Sequence, residues 1–226
     1  MSMPYRLVVF DWEGTLGDPL GHVHDALKHE AQALGLGAYD VQFARRFVAL
    51  GLDKAVRKIF PDLSLHQYER LLQGVQQALI SNHAAVYLFP GARLLIQQLH
   101  QTGVELAIAT NRGAQALQRV LQVSELEAFF SVTRAAGQVP AKPCPQMLEE
   151  ILDLTGVPAK ETLMIGDSTA DIEMASAIDV PSIGVDFYYQ QGDDLKAAGA
   201  LDVFDDFASI GRYLGLPALD STNEGL

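Results

Sequence analysis

Short apolar runs that stop abruptly at polar residues recur along this chain. Residues 7–10 (Leu-Val-Val-Phe) stop at Asp11, and residues 104–109 at Thr110 and Asn111. Residues 162–165 stop at Gly166 and Asp167, and residues 181–185 at Asp186. Continuous rather than alternating runs suit strands buried on both faces, as in a parallel sheet. Helical spacing fills the intervals. Leu94, Leu95 and Leu99 form one stripe, and Leu117, Val120 and Leu121 a second. Leu148, Ile151, Leu152 and Leu154 form a third, ending before Gly156. Strand and helix in alternation predict an α/β domain built on a doubly wound parallel sheet.

Residues 18–88 break the alternation. Val23, Ala26, Leu27, Ala31 and Leu34 follow helical spacing up to Gly35. Ser64 with Gln67 three residues on has the form of a capping box, opening a helix through Leu71, Leu72, Val75 and Leu79. No strand pattern interrupts this stretch. The expected organisation is an α/β core of residues 1–17 and 89–216, with an all-helical insert of residues 18–88 after the first strand. The polar, glycine-bearing stretch 217–226 is expected to fray.

Charge narrows the partners. The formal net charge is −12, and such a field disfavours nucleic acid and anionic lipid, which are held by Lys and Arg on phosphates. A phosphorylated metabolite meets the same repulsion, so a site for one has to be locally positive. A bound divalent cation achieves that simply. The single cysteine, Cys144, excludes an internal disulfide and any multi-cysteine zinc site. No run of about 20 apolar residues suggests a membrane span, and no signal-peptide pattern opens the chain. A cytoplasmic location is expected. The oligomeric state is not legible.

Ligands of open parallel sheets sit beyond the carboxyl ends of the strands, and each run here delivers a distinct group to that edge. The first gives Asp11-Trp12-Glu13-Gly14-Thr15, the second Thr110-Asn111, and the last Gly166-Asp167 with Asp171 four residues on. Lys142 lies in a Pro140-Ala141-Lys142-Pro143 loop. Asp11 and Asp167 together make a hard oxygen site suited to Mg2+. Thr110, Asn111 and Lys142 offer donors for phosphate oxygens. A carboxylate beside phosphorus can attack it, and Glu13 can shuttle the proton.

These four clusters resemble the motifs of the haloacid dehalogenase superfamily of phosphatases, in the family's order and at fitting separations of 99, 32 and 25 residues between Asp11, Thr110, Lys142 and Asp167. Phe10-Asp11-Trp12, Leu88-Phe89-Pro90-Gly91-Ala92 and Lys142-Pro143 point to the phosphoglycolate-phosphatase-like branch. The resemblance implies a Rossmann-like core with a small cap domain, and Mg2+-dependent hydrolysis of a small phosphorylated metabolite through an aspartyl-phosphate. It implies Asp11 as nucleophile and metal ligand, and the Glu13 carbonyl, Asp167 and Asp171 as further metal-site groups. Thr110 and the Asn111 amide would hold phosphate, and Lys142 would neutralise the nucleophile and the transferring group.

One position departs from the pattern: the family usually has Asp where this chain has Glu13. The added methylene shifts the carboxyl by roughly 1–1.5 Å, a misplacement that can slow a reaction about a hundredfold. Two other readings stay open, the first because of this departure and the second although Glu13 argues against it. One is a phosphate-binding protein without turnover. The other is a phosphonoacetaldehyde-type hydrolase using a cap lysine, Lys54 or Lys58, as a Schiff base. Arg45, Arg46 and Lys54 are the candidates for substrate specificity. Trp12 is expected to pack, Cys144 to fill space, and His22 and His24 to lie at the surface.

Overall fold

The computed structural model describes residues 4–81 and 86–218. Six strands form one sheet: β1 (Leu7–Phe10), β2 (Glu105–Gly113), β3 (Val132–Ala136), β4 (Thr162–Gly166), β5 (Ser182–Val185) and β6 (Val203–Phe204). Every neighbouring pair is parallel, in the order β3-β2-β1-β4-β5-β6. The chain winds outward from β1 to β3, then returns to lay β4 on the other side of β1. The direction reverses between β1 and β4, and an open α/β sheet binds ligands at such a switch point. The register fixes what arrives there: Phe10 pairs with Ile108 of β2 and Ile165 of β4, so Asp11, Thr110 and Asp167 end up at one edge.

The unbroken apolar runs are explained by burial on both faces. Leu7, Val9, Ala107, Ala109 and Met164 point one way, into a cluster with Met147, Leu148, Ile151 and Met174. Val8, Phe10, Leu106, Ile108, Leu163 and Ile165 point the other way and are equally sealed from water. Each such side chain contributes about 1.5–3 kcal/mol relative to exposure. The helices that accompany the sheet are α5 (Ala92–Gln101), α6 (Ala114–Val123), α7 (Gln146–Thr155), α8 (Thr169–Ser176), α9 (Gly192–Ala198) and α10 (Phe207–Tyr213).

The sheet has two strands that hydropathy does not mark. β3 carries Arg134 at its centre, paired with Glu150 at 2.6 Å, and β6 has only two residues. Both are edge strands, where polar side chains and short length are favoured. β2 also runs on past Ala109 to Gly113, with a shift of register between Thr110 and Gly113.

By packing, the chain divides into two compact units. The sheet unit comprises Met1–Asp18, Leu88–Phe187 and Gln191–Leu226, and the helical unit Pro19–Tyr87 with Tyr188–Gln190. The helical unit contains α1 (Gly21–Ala33), α2 (Val41–Val48), α3 (Leu52–Ile59) and α4 (Leu65–Ser81). Its core is Ala26, Leu27, Ala31, Val56, Tyr68, Leu71 and Val75. The capping box at α4 is formed: Gln67 Oε1 accepts from the Ser64 N–H and hydroxyl at 3.1 and 2.8 Å, and Ser64 Oγ accepts from the Gln67 N–H at 3.3 Å. Helices α2 and α3 are too short and too rich in Arg and Lys to stand out by periodicity. Asp40 nevertheless marks α2, accepting from the N–H groups of Gln42 and Phe43. The stretch expected to fray lies, beyond residue 218, outside the described residues. No described helix is long and apolar enough to cross a membrane.

Candidate active site

The turn after β1 sets the first part of the site. Thr15, Leu16 and Gly17 all direct their N–H groups at the Trp12 carbonyl, and Gly14 donates to Gly17 at 2.9 Å. Such a closed turn needs a left-handed residue, supplied by Gly14 at φ +80°. A side chain at Gly14 would also strike the Asp167 carboxylate. Glycine is therefore required for conformation and for space. Trp12 is buried against Gly17, as expected of a packing residue.

Lys142 connects the remaining groups. Its ammonium donates to Asp11 Oδ1 at 2.7 Å and to Asp171 Oδ1 at 2.5 Å. The loop that presents it is braced by Asn111, whose Oδ1 accepts the Lys142 N–H at 2.9 Å. The Asn111 side chain is thereby committed to the loop. Asp171 carries two duties at once. Its Oδ2 accepts from the Ser168 N–H and hydroxyl at 3.1 and 2.7 Å, closing a capping box at the start of α8. A side chain on Gly166 would collide with Asp171, so the bare backbone lets the two approach.

Asp11, Asp167 and Asp171 each bring a carboxylate oxygen within 4.8 Å of the others. Burial pushes the Asp11 carboxyl up to about 6; Lys142 opposes this and Asp171 adds to it. Burial, reinforced by Asp11 and Asp171, raises Asp167 to about 8. Lys142 sits above the usual lysine range: burial disfavours its charge, but the two carboxylates outweigh that effect. Full ionisation of the three carboxyls would outweigh the one ammonium, which is why protons are held there, and a cation could take the place of those protons. With both Asp171 oxygens engaged, Asp11 and Asp167 are the side chains best able to ligate one. This donor set is all oxygen, which suits a hard divalent ion.

Thr110 is buried at the end of β2, and its Oγ1 accepts the Arg112 N–H at 3.2 Å. Thr15 is fully buried and its hydroxyl donates to Asp167 at 3.4 Å. Glu13 is different: its side chain is 49% exposed and pairs with Arg112, which sequence reasoning passed over. The signal was present, since Arg112 directly follows the strand-end Thr110-Asn111 pair in an acidic chain.

Within the helical unit, Arg45 is buried with its guanidinium 6.0 Å from the Tyr188 ring centroid, and Arg46 lies 4.2 Å from that of Tyr189. Lys54 and Lys58 are exposed on α3. His24 is buried inside α1 rather than at the surface, because position 24 falls on the inward face with Leu27 and Ala31. His22 is partly buried, and so is Cys144.

The haloacid dehalogenase-like hydrolase family matches residues 8–185. The phosphoglycolate phosphatase of Rhodospirillum rubrum is 31% identical over 222 residues, spanning 94% of this chain and 92% of that protein. That of Pseudomonas fluorescens strain Pf0-1 is 26% identical over 212 residues, spanning 91% and 78%. Among solved structures, one described as a predicted phosphoglycolate phosphatase from Haemophilus somnus 129pt superposes with a TM-score of 0.62 at 21% identity, covering 94% of this chain and 99% of that one. CbbY from Rhodobacter sphaeroides, in complex with xylulose-(1,5)bisphosphate, gives 0.59 at 21% identity, covering 92% and 96%. Taken with the sheet order and the site at its switch point, these likenesses make the chain a member of the haloacid dehalogenase-like hydrolase family, an enzyme of its phosphoglycolate-phosphatase-like branch.

Proposed function

We propose that this enzyme is a Mg2+-dependent phosphomonoester hydrolase acting on a small phosphorylated metabolite, with Asp11 as nucleophile. The observation that carries the reading is the buried Lys142 ammonium between Asp11 and Asp171, at 2.7 and 2.5 Å, beside a third carboxylate at Asp167. A structural ion pair needs one carboxylate per lysine. A convergence of three at the ligand-binding edge of the sheet suits a site that awaits positive charge.

In this reading an Asp11 oxygen attacks phosphorus, and the bond from phosphorus to the ester oxygen breaks. The leaving oxygen takes a proton from Glu13. Water then attacks the phosphorus of the aspartyl-phosphate, giving its proton to Glu13 as the bond to Asp11 breaks and phosphate departs. Lys142 holds the Asp11 carboxylate in place and offsets charge on the phosphoryl group. The Thr110 hydroxyl and the Asn111 backbone N–H donate to phosphoryl oxygens. Asp11, Asp167 and the Glu13 carbonyl, with Asp171 in support, would hold Mg2+, and the bound ion would supply positive charge between nucleophile and phosphate.

Residues 18–88 act in this reading as the cap domain, with Arg45, Arg46 and Lys54 the candidates for choosing the substrate. Phosphoglycolate is the first ester to test, because relatives spanning most of the chain bear that name. Schiff-base chemistry on a cap lysine is disfavoured: such a lysine is activated by desolvation, and Lys54 and Lys58 are exposed. The test is a phosphate-ester screen with Mg2+, with and without EDTA, alongside Asp11→Asn. Turnover lost in both controls supports the proposal. Binding of vanadate without turnover of any ester supports the binding-protein alternative.

A further inference from the structure

Arg112 takes no part in the chemistry just described, yet it holds the residue at which this chain departs from its family. Glu13 follows β1 by three positions and Arg112 follows Thr110 on the adjacent β2, so the parallel register brings them to the same edge. The ladder slips between Thr110 and Gly113, which carries Asn111 and Arg112 out of regular pairing. Bulges of this kind re-aim side chains next to active sites. The Arg112 guanidinium donates to Glu13 Oε2, a bond that the carboxyl accepts in either protonation state and that leaves its proton to be carried on Oε1.

The main chain around Glu13 is fixed by the turn on Trp12, but that turn does nothing for the side chain. A glutamate has one more torsion than an aspartate, and a half-exposed one samples many rotamers. Its carboxyl would seldom stand where a leaving oxygen needs a proton. The guanidinium is planar and rigid, and its backbone is tied to Thr110 through the Arg112 N–H. It therefore references the Glu13 carboxyl to the phosphate-binding strand. An aspartate, roughly 1–1.5 Å shorter, would fall short of the same clamp.

We propose that Arg112 is the positioning residue for Glu13, and that the Glu13–Arg112 pair does the work of the single shorter acid usual in the family. The inference rests on the proposed phosphatase reading. A rival exists on the same side chain: Arg112 Nε is buried with no partner among the described residues, and a substrate anion could take it. The two differ in which kinetic parameter they move.

The test is a cycle of wild type, Arg112→Ala, Glu13→Asp and the double variant, with Arg112→Lys added, on phosphoglycolate and on p-nitrophenyl phosphate with Mg2+. Positioning predicts that Arg112→Ala lowers kcat on the alkyl ester by about tenfold to a hundredfold, the scale of a misplaced catalytic group. KM should hold within about twofold, and the aryl ester, which needs little protonation, should lose far less. In the Glu13→Asp background the same change should alter kcat by less than about twofold, the signature of coupling. Arg112→Lys should restore part of the rate, and it also serves if the alanine variant misfolds. An equal loss in both backgrounds, a loss confined to KM, or no loss at all would overturn the clamp. A wild-type enzyme with no Mg2+-dependent turnover overturns the phosphatase reading and the clamp together. A working enzyme indifferent to Arg112 overturns the clamp alone.

Discussion

Lys142 and Asp171 meet at 2.5 Å with both side chains almost sealed from water, at 3% and 0% exposure. Asp171 also caps α8 through Ser168, so one carboxylate joins the charge of the site to the start of a helix. Lys142→Met strips the counter-charge from Asp11 and Asp171 together. Removing one partner of a buried pair costs about 3–5 kcal/mol. We expect a clearly lower urea midpoint, measured by circular dichroism, together with loss of turnover.

Asp171 itself separates the two duties. Asp171→Asn keeps an oxygen for the Ser168 end of the box but surrenders the charge beside Lys142. The expected result is a folded protein with activity reduced at least about tenfold, since charge placed against a developing transition state commonly contributes that much or more. Asp171→Ala also removes the cap, worth roughly 0.5–2 kcal/mol, and should melt earlier than the asparagine variant. Differential scanning calorimetry on both checks the order.

Metal-free protein should lose stability as pH rises. The folded-state values of Asp11 and Asp167, about 6 and about 8, lie above the ordinary carboxylate value of 3.8. The folded state therefore binds more protons than the unfolded one between pH 4 and pH 8, and stability falls across that window. On the proposed reading Mg2+ would compete with those protons, so its stabilising effect should be small at pH 5 and large at pH 8.5. At a hundredfold excess over Kd the gain is about 2.7 kcal/mol, or roughly 5–10 °C in Tm for a chain of this size. Thermal melts at the two pH values, with and without Mg2+, measure it.

Asp167→Asn is expected to raise the Tm of the metal-free protein at pH 8 and to abolish the response to Mg2+. The substitution removes a desolvated charge that Asp11 and Asp171 repel, and it removes a ligand. A variant that still responds to Mg2+ by melting would move the ion elsewhere.

Gly14→Ala should fail at the site rather than in the core. Its Cβ would strike the Asp167 carboxylate at a backbone φ of +80°, where an alanine costs roughly 1–2 kcal/mol. Reduced Mg2+ affinity by calorimetry, out of proportion to the change in Tm, is the expected outcome.

How much of this was legible beforehand follows the physics of each element. The inner strands announced themselves because burial on both faces removes polar positions, as at Leu7–Phe10. β3 and β6 were silent because an edge strand tolerates Arg134 and a ladder can be two residues long. That Asp11, Thr110 and Asp167 share one edge of the sheet followed from their places at the ends of apolar runs, whereas Lys142 stood out only by its Lys-Pro loop. That Asn111 braces the Lys142 loop, and that Arg112 holds Glu13, could not be read. Those partnerships depend on side-chain direction at a slipped ladder, which no spacing rule encodes. His24 was misread because a histidine on the inward face of a helix looks the same in sequence as one facing solvent.

The reversal of strand order between β1 and β4 has a consequence for how the enzyme answers to its ligands. The groups that would grip a cation come from two windings of the sheet, 156 residues apart along the chain, and neither winding owns the site. Anything bound at that seam is a tie between halves that share only the central strand. Amide exchange should therefore slow on both sides of β1 when Mg2+ is added, in β2 as well as in β5, instead of only beside the coordinating loops.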